Sequence, residues 1–213
     1  MMRLQAQERR VVPAATEADE VIIVPARAVY LGSDFSTAVE HESKWALEYG
    51  QMFEGEVQSL IEHIKIGVRE AAKIPRAVLI FSGSRLTREA GAVSRASSYW
   101  LVAKANDWFG TDASLVSRTF TEDHARDGFE HVLFSVCRFF EVTRKFPSKI
   151  TVVGFRVERE RFKHRHLDAM GYPRQSFEFI GTEALYARDL AAREANMRDA
   201  FAHDPYGCRG ELV

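Results

Sequence analysis

Ala77-Val78-Leu79-Ile80-Phe81 is an unbroken apolar run, and Ser82-Gly83-Ser84 follows it without a spacer. Such a run has no wet face to alternate with a dry one. It suits a strand covered on both sides, as in a parallel sheet packed between helices. Val21-Ile22-Ile23-Val24, stopped by Pro25, has the same character, and so does Ile150-Thr151-Val152-Val153, closed by Gly154. Phe177-Glu178-Phe179-Ile180 predicts a last strand, ended by Gly181, and Leu115-Val116-Ser117 a short one.

Helical spacing fills the intervals. Val57, Leu60, Ile61, Ile64 and Val68 form one stripe in a helix over 53–73, ended by Pro75. A short helix is expected around 43–49, and a longer one from about Arg88 to Phe109, closing at Gly110. Thr121 reads as a helix cap, with Glu122 and Asp123 in the first turn and Phe129, Val132, Leu133, Val136 and Phe140 on the buried face. Further helices are expected over 158–170 and, polar and Ala-rich, over 183–201. Strand and helix therefore alternate five times. The pattern predicts a Rossmann-like three-layer α/β/α fold with a mainly parallel sheet of about five strands. Residues 1–18 are polar and unpatterned, a flexible lead-in to one domain over 19–203, and 204–213 form a tail.

A chain of 213 residues suits one domain and can bury a core without disulfides or metals. The formal net charge of -1 gives no general attraction to nucleic acid or to an anionic membrane, so neither is expected as a partner. No apolar run approaches the roughly 20 residues of a membrane span, and the charged N-terminus has no apolar stretch behind it to make a secretory signal. Cys137 and Cys208 read as free thiols in a reducing compartment, and the expected location is cytoplasmic.

In open parallel sheets ligands sit beyond the carboxyl ends of strands, so residues just after strands are the candidates. Ser82-Gly83-Ser84 could present amides and hydroxyls to a phosphate or carboxylate, or be a plain strand-to-helix turn. Its spacing fits neither a P-loop nor a dinucleotide fingerprint, and it lacks the flanking glycines of a nucleophile elbow. Glu122, Arg126 and Glu130 recur every four residues. They form either a solvated salt-bridge face or a cleft wall on which Arg126 grips an anion and a carboxylate moves a proton. Beyond Gly154, Arg159 and Arg161 could clamp phosphate or belong to a charged surface helix. His164 and His166 point to different faces of a helix, and no metal is assigned. Trp45, Trp100 and Trp108 read as core or rim aromatics.

Taken together, these stretches resemble the fungal branch of the DUF218 family, the YdcF-like proteins, from about Val21 to Arg209. The most specific piece runs from Thr121 to Ser135, where fungal members read Thr-Glu-Glu-x-Ala-Arg-Asp-Ser-Phe-Glu-Asn-Leu-Leu-Phe-Ser. Leu79 to Gly83, Ala90-Gly91, Ser98-Tyr99-Trp100, Thr151 to Val153, Arg159 with Arg161-Phe162, His166 and Asp204 to Cys208 match as well. The resemblance implies a Rossmann-like fold and a small-molecule ligand, nucleotide-like because bacterial relatives are associated with S-adenosylmethionine binding or with envelope functions. It names no reaction and no cofactor. Carried over by position, it implies Ser82, Gly83, Glu122, Arg126, Asp127, Glu130, Arg161 and His166 as pocket residues; in an enzyme Ser82 to Ser84 would cradle an anion, Arg126 and Arg161 would clamp it, and Glu122 or Glu130 would be the catalytic acid–base. The chain departs from the family at Ala26-Arg27 (Gly-His), Ser84 (Gly), Leu86-Thr87 (Thr-Arg), Arg95 (Glu) and His131 (Asn). Three readings stay open: an enzyme acting on a nucleotide-like or phosphorylated molecule, a protein that binds such a ligand without turnover, and an interaction protein with a vestigial cleft.

Overall fold

A computed structural model of the chain describes residues 14–47, 53–85, 91–184 and 187–209. Five parallel strands make the main sheet: β1 (Glu20–Pro25), β4 (Ala77–Ser82), β5 (Thr119–Glu122), β6 (Lys149–Phe155) and β7 (Phe177–Thr182). Their spatial order is β5-β4-β1-β6-β7. Two short strands, β2 (Val29–Tyr30) and β3 (Trp45–Ala46), pair antiparallel in a separate ribbon. Helices α1 (Glu56–Lys73), α2 (Arg95–Ala105), α3 (Gly128–Thr143) and α6 (Ala187–His203) flank the sheet. Between β6 and β7 lie the single turns α4 (Arg159–Arg161) and α5 (Leu167–Ala169), joined by a π-helical turn over Phe162–His166. The fold is the three-layer α/β sandwich with a parallel sheet that the sequence pattern predicts.

The apolar runs explain the layering. Along β1, Ile22 and Val24 face one apolar cluster with Leu60, Ile64, Val68, Leu79 and Phe81, while Val21 and Ile23 face the other with Val132, Val136, Phe139, Ile150 and Val152. Residues of β1 and β4 are buried on both faces, as a central parallel strand requires. A Cβ at Gly67 would come within 2.3 Å of Val24 Cγ2, so the missing side chain sets how closely α1 lies on β1. No helix among the described residues is long and apolar enough to cross a membrane.

Several boundaries differ from the sequence reading. Residues 115–117 lie in a 3-10 turn over Ala113–Arg118, because Asp112 accepts the Ser114 amide at 2.6 Å and winds the chain. The strand starts later, where Thr119 pairs with Leu79, and it includes Thr121 and Glu122. The helix expected from Thr121 therefore starts at Gly128. Its cap is Asp127, whose side chain accepts the Glu130 amide at 2.9 Å. Helix α2 starts at Arg95 behind a Ser94 cap, and the expected start at 88–90 lies outside the described residues. It stops before Asp107, Trp108 and Phe109, all at φ near 50°. Glu42–Lys44 form a 3-10 turn ahead of β3, where a short helix is expected, with 48–49 outside the described residues. Ala14–Glu17 form another, with Ala15 and Ala18 packed into the core. The expected tail folds back: the Tyr206 ring lies 5.6 Å from that of Phe129, and Gly207 is buried.

Candidate functional site

The sheet changes direction of growth at β1. From there the chain adds β4 and β5 on one side, then β6 and β7 on the other. Loops leaving β1 and β6 diverge at this switch point and open a crevice. A cavity of about 240 Å³ occupies it. Pro25, Ala26 and Arg27 form the β1 edge, and Glu158, Arg161 and Phe162 the β6 edge. Arg126 to Gly128 and His131, at the N-terminus of α3, close one side, with Arg95 of α2 beside them. Leu190, Arg193, Glu194 and Met197 of α6 close the other. Five arginines and three carboxylates line it, a positive surplus next to a helix N-terminus. Larger, more open grooves lie elsewhere: one between Glu160-His164-Arg165 and Ala195-Arg198-Asp199, another along Thr121-Glu122-Asp123 and Cys137-Arg138.

Buried ion pairs tie the β6 edge together. Arg161 Nε donates to both oxygens of Glu194, at 2.9 and 3.0 Å, and Nη2 donates to Glu158 Oε1 at 3.1 Å. Nη1 donates to His166 Nε2 at 3.0 Å, which leaves the proton of that ring on Nδ1, buried and without a partner among the described residues. Arg27 Nη1 reaches Glu158 Oε1 at 2.8 Å, and its guanidinium lies 5.3 Å above the Phe155 ring. Burial alone would raise Glu158; Arg27 and Arg161 outweigh it and hold the carboxyl below its ordinary range. Glu194 stays raised, to about 7, because burial exceeds the pull of Arg161. Glu56, at the first turn of α1, is fully buried 4.0 Å from Arg27 Nε, with neither oxygen hydrogen-bonded among the described residues. Burial lifts it to about 7. Arg193 lines the cavity, and its charge, like that of Arg27, favours the ionised form of Glu56 against the effect of burial.

The residues singled out from sequence divide into three groups. Arg126, Asp127 and Arg161 line the cavity. Arg126 is mostly exposed and grips Glu130 through Nε and Nη2, the closest contact being 2.6 Å; its amide also donates to Glu130. Both Glu130 oxygens are engaged this way. Burial raises the Glu130 carboxyl, but the Arg126 hydrogen bonds bring it below its usual value. Asp127 caps α3, and burial lifts its carboxyl. His166 lies under Arg161 in the π-helical turn, its ring 4.5 Å from that of Phe201.

Ser82, Gly83, Ser84 and Glu122 sit behind the cavity wall. The Gly83 amide donates to Glu122 O at 2.9 Å, and the Ser84 amide to Ala125 O at 2.8 Å. Ser84 Oγ accepts Arg95 Nη2 at 2.8 Å. These amides are occupied by the end of β5 and the loop after it, so they are not free to cradle an anion at this turn. Glu122 accepts the His124 and Ala125 amides on Oε1, at 2.7 and 3.1 Å, and the Ser82 hydroxyl on Oε2 at 2.5 Å. The same hydroxyl lies 2.9 Å from His131 Nδ1. Because Glu122 belongs to β5, it does not share a helix face with Arg126 and Glu130.

Arg27, Arg95 and His131 enter the site although the sequence marks them only as departures from a family pattern. Arg27 and Glu158 each follow a strand end, which is a usable signal. Arg193 and Glu194 belong to a helix read as polar, and nothing local announces that its Leu190-Glu194 face is buried.

The molecule is thus a Rossmann-like α/β protein with an arginine-lined cavity at its switch point. No family model matches the chain, and no solved structure matches it. The chain is similar to the uncharacterized protein YOR238W of Saccharomyces cerevisiae, with 26% identity over 251 aligned positions that cover 91% of this chain and 81% of the yeast protein.

Proposed function

We propose that this chain is an enzyme acting on a compact anionic small molecule, phosphorylated or nucleotide-like, held at the carboxyl ends of β1 and β6. The observation that carries the reading is the cavity lining itself, five arginines against three carboxylates. Guanidinium groups match phosphate oxygens with paired donors, and a partly dry cavity strengthens each contact. About 240 Å³ is small for a ligand pocket, which favours a short phosphorylated metabolite or the phosphate end of a nucleotide. The resemblance to the DUF218 family agrees with a nucleotide-like ligand. Two unpaired cysteines accord with a cytosolic setting. A second reading, binding without turnover, is favoured by the engagement of Glu122 with Ser82 and of Glu130 with Arg126.

A thermal-shift screen tests the proposal. The panel holds inorganic phosphate, sugar phosphates, nucleotides and S-adenosylmethionine. A ligand present at about 100 times its dissociation constant adds about 2.7 kcal/mol of apparent stability. The expected result is a raised Tm for a phosphorylated ligand, lost in Arg193→Ala. No response across the panel contradicts the proposal and points to a protein partner instead.

A further inference from the structure

We infer that His131 is the proton-accepting catalytic group of the cavity, its ring held by Ser82 and Glu122 so that the Nε2 lone pair faces the ligand. The inference rests on the cavity being the ligand site.

Hydrogen-bond arithmetic leads to it. The Ser82 hydroxyl has one proton and gives it to Glu122 Oε2. Glu122 is committed to accepting, since two main-chain amides already donate to its other oxygen. The 2.9 Å contact from Ser82 Oγ to His131 Nδ1 must then be filled by a proton on Nδ1. A neutral imidazole with Nδ1 protonated has a bare Nε2. That atom has no protein partner among the described residues and is not among the buried unpaired atoms, while His131 lines the cavity. Burial first, then Arg95, Arg27 and Arg161, hold the ring well below the usual histidine range, so it rests neutral at neutral pH.

Serine, histidine and glutamate together suggest a hydrolase triad, but the connectivity is different. In a triad histidine stands between the acid and an open serine. Here serine stands between the acid and histidine, is fully buried, and spends its proton on Glu122. Ser82 is therefore a positioning residue, as is Glu122. The step open to His131 is simple: an O–H bond of the ligand, or of a water beside it, breaks. Its proton bonds to Nε2, and the electron pair stays on oxygen as a nucleophile. The imidazolium keeps its Nδ1–H on Ser82, and Glu122 offsets the new charge through that hydroxyl.

Histidine-labelled protein and NMR of the imidazole carbons and nitrogens test this without knowing the substrate. The His131 signals are assigned by their loss in His131→Asn. The wild-type ring is expected as the Nδ1–H tautomer. In Glu122→Gln the new amide donates to Ser82, which turns its own proton toward Nδ1, so the ring is expected to invert to Nε2–H. Ser82→Ala, a smaller change at the same joint, is expected to move it the same way. An Nε2–H ring in the wild type, or a ring indifferent to both substitutions, overturns the inference. Inorganic phosphate added to the same sample separates this from the ligand reading. Phosphate that raises Tm through Arg193 yet leaves the His131 signals unmoved defeats the inference alone. No response to phosphate or to any other ligand of the panel defeats both.

Discussion

A Cβ on residue 128 would lie 2.2 Å from Arg161 Nη1 and 2.7 Å from His166 Nε2, so Gly128 and Arg161 fit only because one of them has no side chain. The first turn of α3 can therefore approach the buried guanidinium closely enough to bring His131 and Arg161 to one cavity. Gly128→Ala is expected to cost about 1–3 kcal/mol, the usual penalty for overpacking. Urea unfolding should show a lower midpoint with an unchanged slope. A wild-type midpoint would mean that the two elements part without strain.

Arg161 itself joins Glu194, Glu158 and His166 in one buried network. Arg161→Ala strands the buried Glu194 carboxyl and leaves Glu158 to Arg27, and the expected loss is roughly 3–5 kcal/mol. Adding Glu194→Gln to that variant should restore part of it, because the second change removes the stranded group. Additive losses in the double variant would show that the pair is not coupled.

Glu56 and Glu194 give the fold an unusual pH response. Each is raised to about 7 by burial, from an ordinary value of 4.5. Between those values the folded chain holds protons that the unfolded chain has released, so their contribution to stability falls as pH rises through the window. Glu158, held low by Arg27 and Arg161, acts in the opposite sense and loses its contribution as pH falls. Glu56→Gln should flatten the decline between pH 5 and 8 and stabilise the protein at pH 8 by roughly 3 kcal/mol. Urea unfolding across that range measures it. Equal stability of variant and wild type at pH 8 would place Glu56 in solvent or against a partner.

Arg118 ties three carbonyls with one nitrogen: Nη1 donates to Ala71 O, Ile74 O and Ala77 O at 2.8, 3.1 and 2.6 Å. It thereby joins the end of α1 to the start of β4. Arg118→Ala is expected to cost about 1–3 kcal/mol through the acceptors left unpaired. Hydrogen exchange should localise the loosening to the amides around residues 71–77.

The contrast between what the sequence reveals and what it hides has physical causes. The runs at Val21–Val24 and Ala77–Phe81 suit strands buried on both faces, and their alternation with helical stripes implies the sheet and its layers. The sequence starts the helix after β5 too early, because Thr121 and Asp127 have the same capping chemistry. The pairing of Ser82 with Glu122, a contact across 40 residues, decides between them by drawing Glu122 into the sheet. The sequence pattern puts an anion site at Ser82 to Ser84, but the Gly83 and Ser84 amides are taken by the end of β5 and the loop after it, a long-range pairing that no local pattern encodes. Arg193 and Glu194 reach the cavity through the packing of α6, which no local pattern encodes.

The central claim, an anion site between Arg193, His131 and the β1 and β6 ends, is tested most directly by an anion that can be seen. Crystals soaked in tungstate, a heavy analogue of phosphate, locate it by anomalous scattering. The account predicts a peak in the cavity within hydrogen-bond reach of Arg193 and on the side that His131 lines, absent in Arg193→Ala. A peak in the open groove between Arg165 and Arg198 with the cavity empty would contradict it.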